Sequence, residues 1–138
     1  MRSIIALSAA IACLVAAPSA LAATTGTKTE TATVGGVTAT LTYDVPSDYE
    51  ARDVRLGITR DGAPAALEGG GDPAAGCKQC ENAIPVGALG TGLKSLTLVD
   101  LDGNGETEVI VDTYTGGAHC CSISAIYGWD PATSEYRH

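Results

Sequence analysis

Nine consecutive residues, Asp100-Leu101-Asp102-Gly103-Asn104-Gly105-Glu106-Thr107-Glu108, carry four carboxylates and one side-chain amide with no Lys or Arg among them. Leu96, Leu98 and Val99 precede this stretch, and Val109, Ile110 and Val111 follow it. Short apolar runs on both sides read as strands, so the acidic stretch has to be the connection between them. That excludes an EF-hand, whose loop joins two helices. The first six positions match the start of an EF-hand pattern, but the twelfth is Val111 where a bidentate Glu is required. Oxygens at alternating positions come from Asp100, Asp102, Asn104, the backbone carbonyl of Glu106, and Glu108. With glycines to let the chain curl, this is a donor set for Ca²⁺, which takes oxygens at about 2.3–2.6 Å. The competing reading is a solvated turn whose Asp and Asn make only local hydrogen bonds. Mutual repulsion among clustered carboxylates weighs against that reading.

Strand signals extend over the rest of the chain. Thr31-Ala32-Thr33-Val34 and Val37-Thr38-Ala39-Thr40-Leu41-Thr42-Tyr43 alternate around Gly35-Gly36, the pattern of a hairpin. Val54, Leu56 and Ile58 share one face of a third strand, and Asp61-Gly62 supplies a turn after it. Residues 23–30 are small and polar and read as a flexible leader, residues 31–67 as an N-terminal β-sheet, and residues 68–94 as a connecting loop rich in Gly and Cys. Residues 95–138 form a second sheet carrying the acidic loop. No amphipathic helix is visible after residue 22, so the expected fold is all-β, a small antiparallel sandwich-like domain.

Residues 1–22 have the form of a secretory signal peptide: Arg2, an apolar run over 4–17, then Pro18-Ser19-Ala20-Leu21-Ala22 with its A-x-A pattern. The run is short for a membrane span of roughly 20 apolar residues, and Ala10-Ile11-Ala12-Cys13 fits a lipidation site poorly. Export implies a secreted chain, extracellular or periplasmic, with no membrane span. Cleavage after Ala22 leaves 116 residues, enough for one domain with a modest core. The mature chain holds 7 basic against 16 acidic residues, a net charge near −9, which excludes nucleic acid as a natural partner.

Residues 98–111 resemble the calcium loop of the FG-GAP or VCBS-type repeat of integrin-like β-propellers. The resemblance extends weakly through Gly116-Gly117-Ala118-His119-Cys120-Cys121 and Tyr127-Gly128-Trp129-Asp130. It implies a loop between two strands of one propeller blade. Three features depart from the family: a single copy of the motif, no Phe for the Phe-Gly signature, and Glu108 where Asp is usual. A closed propeller needs about 4–8 blades, so the resemblance implies a lone blade-like unit, or one continued by sequence beyond His138. A lone blade would expose the face of Ile123, Ala125, Tyr127 and Trp129. That face requires cover from the N-terminal sheet, from another protomer by self-association, or from downstream sequence.

Four cysteines follow the leader, Cys77 and Cys80 in C-x-x-C spacing and the adjacent Cys120 and Cys121. In an exported chain disulfides are the default. Zinc held by Cys77, Cys80, Cys120 and either Cys121 or His119 is the sharper alternative, and a redox C-x-x-C lacks the strand and helix it needs. A nucleophilic arrangement of Cys120, His119 and Asp112 fails on geometry, because neighbours in a strand face opposite ways. Trp129 and the five tyrosines read as core and interface residues. The sequence thus points to an exported, calcium-binding, non-catalytic interaction or scaffold module, with an unidentified protein or cell-surface ligand. The rival class is a fragment of an exported hydrolase in which the calcium loop is structural. Adjacent cysteines in a strand resist bonding to each other, so each of Cys77 and Cys80 is expected to be bridged to one of Cys120 and Cys121. Peptide mapping under non-reducing conditions checks this; a Cys77–Cys80 link refutes it.

Overall fold

The computed structural model describes residues 25–73, 83–117 and 120–138, with the backbone alone for 117, 120 and 121. Two β-sheets account for nearly all of its regular structure. The first contains β1 (Gly26–Val34), β2 (Val37–Val45), β3 (Arg52–Arg60) and β4 (Ala63–Pro64), antiparallel and in chain order. The second contains β5 (Ala66–Leu67), β6 (Ile84–Pro85), β7 (Leu96–Val99), β8 (Glu108–Gly117), β9 (Cys120–Asp130) and β10 (Glu135–Arg137). Its path runs β5-β10-β9-β8, and the outer edge of β8 is shared: β7 pairs with residues 108–111 and β6 with Thr113 and Tyr114. Among the described residues only β5 and β10 are parallel. Among the described residues the only helical structure is two 3-10 turns, Glu68–Gly71 and Val86–Leu89, and no helix is long and apolar enough to cross a membrane.

β2 shows why the strands form. Its alternation is strict: Val37, Ala39, Leu41, Tyr43 and Val45 are buried, and the residues between them are half-buried. Thr27, Thr29, Thr31 and Thr33 of β1 lie opposite Asp44, Thr42, Thr40 and Thr38. Several of these pairs bond across the strands, with Thr33 and Thr38 hydroxyls 3.0 Å apart and Thr27 donating to Asp44 at 2.6 Å. The inner faces of both sheets meet in one core. Leu41, Tyr43, Val45, Leu56 and Ile58 from the first sheet join Val109, Val111, Ala125, Tyr127 and Tyr136 from the second. The Val, Leu and Ile side chains among them each contribute about 1.5–3 kcal/mol on full burial.

Three features depart from the sequence-based expectation. The segment read as a flexible leader, 23–30, is strand from Gly26 onward, because its Lys28, Glu30 and Ala32 alternate inward against the outward threonines. Residues 66–67 belong to the second sheet rather than the first, where they pair with β10. The connecting segment 68–94 contains β6 and both 3-10 turns. Of the three covers considered for the face of Ile123, Ala125, Tyr127 and Trp129, the structure shows the first sheet: Ala125 and Tyr127 lie in the common core and Trp129 packs against it. The proposed pairing of Cys77 and Cys80 with Cys120 and Cys121 lies outside the described side chains, as does the leader over residues 1–22.

A polar tie crosses between the sheets. Glu30 Oε1 accepts hydrogen bonds from Tyr43 Oη and Ser95 Oγ, both at 2.8 Å, and Oε2 accepts from the Ser95 backbone N–H at 2.8 Å. Ser95 Oγ in turn accepts from the Gly87 N–H at 2.9 Å, and the Asp112 N–H donates to the Ser95 carbonyl at 2.7 Å. Any Cβ on Gly87 would collide with Glu30 Oε1, so the turn can approach only as glycine. Burial, reinforced by the bond to Glu30, raises the Tyr43 hydroxyl above the ordinary phenol value and keeps it a donor.

Two outcomes follow from this frame. Glu30→Ala removes the acceptor for three donors, and with hydrogen bonds to charged groups at about 1.5–3 kcal/mol each and partial exposure of the site, a loss of about 2–3 kcal/mol is expected in urea unfolding. Glu30→Gln retains the shape and should cost about half as much; equal stability of all three proteins would remove Glu30 as the tie. The second concerns alkaline pH. Burial, with Asp72 and Glu68 nearby, pushes the Tyr127 hydroxyl up to about 12. The unfolded phenol ionises first, near its ordinary value of about 10. The neutral folded form is therefore favoured up to that pH, and the advantage is lost as pH rises towards about 12. Urea midpoints should fall across this window, and Tyr127→Phe should make the decline shallower.

Candidate metal loop

The acidic loop joins β7 to β8, and its ends are set by strand pairing: Val99 lies opposite Glu108 in the last register of the β7–β8 ladder. Between them the chain turns with Gly103 at φ 74° and Gly105 at φ 90°, left-handed conformations that glycine adopts without strain. Asp100 organises the turn. Its Oδ1 accepts from the N–H groups of Gly103 at 2.8 Å and Asn104 at 3.1 Å, and its Oδ2 from Gly105 at 2.9 Å. Asp102 accepts from the Asn104 N–H and from Asn104 Nδ2, while Asn104 Oδ1 accepts from the Glu106 N–H at 2.6 Å. Glu108, only 8% exposed, accepts from the Leu101 N–H at 2.7 Å.

Of the five residues expected from sequence to hold a cation, the structure draws three together. Carboxylate oxygens of Asp100, Asp102 and Glu108 all lie within 4.8 Å of one another. Asn104 sits beside them through its bond to Asp102 Oδ2 at 3.0 Å. The Glu106 side chain turns away, leaving only its carbonyl to the loop: its Oε2 pairs with Arg60 Nη1 at 2.7 Å. The other charged groups of the earlier reading lie elsewhere. Asp112 faces out from β8 and accepts from Ser124 Oγ at 2.5 Å across the β8–β9 pair, and His119 lies outside the described residues.

Arg60 is the residue that sequence reasoning missed. It ends β3, and its guanidinium stands 4.8 Å above the Trp129 ring while pairing with Glu106. The bond to Glu106, with a further contribution from Tyr136, raises the Arg60 guanidinium above its ordinary value. Burial pushes the Tyr136 hydroxyl up, and the neighbouring Arg60 opposes that shift. The first sheet thereby grips the loop of the second. A shallow cleft of about 120 Å³ lies at this junction, lined by Gly35, Gly36, Arg60, Asp61, Glu106 and Thr107 among others. A lone Arg before a turn carries no local signal of such a role.

Chemically, the arrangement suits a divalent cation. Each carboxylate oxygen offers about two acceptor positions, so an oxygen that already receives an N–H can still ligate. Among the described residues no ion pair neutralises Asp100, Asp102 or Glu108. Comparison of the chain with protein-family models, with curated proteins and with solved structures finds no match.

Proposed function

We propose that the chain is an exported β module braced by calcium, working as a non-catalytic interaction or scaffold unit. The observation that carries this reading is the convergence of Asp100, Asp102 and Glu108 within 4.8 Å on a short interstrand loop, with no ion pair to balance them among the described residues. Three like charges at that separation repel, most strongly at the buried Glu108, and a divalent ion relieves the repulsion directly. Asp100, Asp102, Asn104, Glu108 and the carbonyl of Glu106 would hold the ion, and the resemblance to the FG-GAP or VCBS-type loop supports the same set. Calcium is favoured over Mg²⁺ because a glycine-hinged loop offering several oxygens suits a larger ion with six or more ligands. Bound ion would stiffen the loop and, through Arg60 and Glu106, its contact with the first sheet. The signal-peptide pattern of residues 1–22 supports export.

At Ca²⁺ a hundredfold above Kd, stabilisation of about 2.7 kcal/mol is expected, read as a higher melting temperature and as heat in titration calorimetry. Asp102→Ala should abolish most of the shift. Glu106→Gln should retain calcium binding, since its carboxylate serves Arg60. No heat and no melting shift with the parent chain would leave the loop as a hydrogen-bonded acidic turn.

A further inference from the structure

A groove of about 620 Å³ runs along β1, well within the about 300–1,000 Å³ common for small-molecule sites. Residues 28–32 line it in unbroken succession. Side chains alternate between faces along a strand, so an unbroken run marks the strand's open edge, and β1 is indeed the outer strand of its sheet, paired only with β2. The opposite wall is the segment leading into β7, with Leu93, Lys94 and Leu96. Leu93 is 62% exposed, an uncovered apolar side chain beside the opening.

The charges of the groove run against those of the protein. The chain carries 8 basic and 16 acidic residues. Among the described residues Arg52, Arg60 and Arg137 each pair with carboxylates, and Arg55 donates to the Val54 carbonyl. Lys28 and Lys94 make no ion pair, and both border this one groove. Glu30 also lines the groove, and its carboxylate accepts from Tyr43 Oη, Ser95 Oγ and the Ser95 N–H. Neither lysine is among those donors.

Two unpaired ammonium groups beside an exposed leucine recognise a particular chemistry. We propose that the groove binds a small amphiphilic carboxylate, its head group taken by Lys28 and Lys94 and its apolar body laid over Leu93. The groove shares no lining residue with the cleft at the acidic loop, which meets the opposite end of the β1–β2 hairpin at Gly35 and Gly36.

Sodium octanoate is the probe, titrated into the mature chain by calorimetry, with octan-1-ol as the neutral counterpart. One saturable site is expected, with the alcohol and the double variant Lys28→Gln, Lys94→Gln each weaker by about tenfold. Unchanged melting of that variant shows that the loss is one of recognition. Leu93→Ser should weaken octanoate while leaving the preference over the alcohol intact. Absence of saturable binding to the parent chain, equal binding of the alcohol, or full binding by the double variant overturns the proposal.

Discussion

One carboxylate joins the two sheets. Glu30 sits on the outer strand of the first sheet and receives three donors, two of them from Ser95 at the entry to β7. Apolar burial alone would allow two β-sheets to slide over one another, since it is proportional to area and has no direction. Hydrogen bonds to a charged oxygen are directional and costly to leave unmade. Glu30 therefore sets where β7 lies against β1, Gly87 permits the 3-10 turn to close on the same point, and the β7–β8 ladder carries that placement into the second sheet.

Arg60 supplies the matching constraint at the other end. Because it pairs with Glu106 and covers Trp129, it links the end of β3, the acidic loop and β9 in one contact. The loop is thus held from outside by an ion pair and from inside by Asp100, whose carboxylate receives three backbone N–H groups. Under the proposed reading, a cation would meet oxygens already gathered and would have little chain ordering to cause. The same economy explains why Glu106 could not be a side-chain ligand: its carboxylate is committed to the sheet contact.

The long strands were legible because their signal is local and repeated. In β2 every second residue is apolar, and a period of two allows only one assignment of faces. β1 was partly hidden because Thr27-Lys28-Thr29-Glu30 looks like a polar leader; only burial of its alternate residues against β7 and the turn shows the strand. β5, β6 and β10 span two or three residues each, too few for any period to register, and they exist because a neighbouring strand offers its edge. The acidic loop was legible for the opposite reason to β10. Its carboxylates fall within nine residues, so Asp100, Asp102 and Glu108 meet in space because they are close in sequence.

By itself, then, the sequence determined the all-β character of the chain, the hairpin around Gly35-Gly36, and the acidic loop as an interstrand turn, all consequences of neighbouring residues and a short repeat. Only the tertiary structure decided which groups lie together across long separations: Glu30 with Ser95, Arg60 with Glu106, and Lys28 with Lys94 along one groove. The reason is that chain proximity imposes the first kind of contact, whereas the second depends on how two twisted sheets settle on a shared core, which no local pattern encodes.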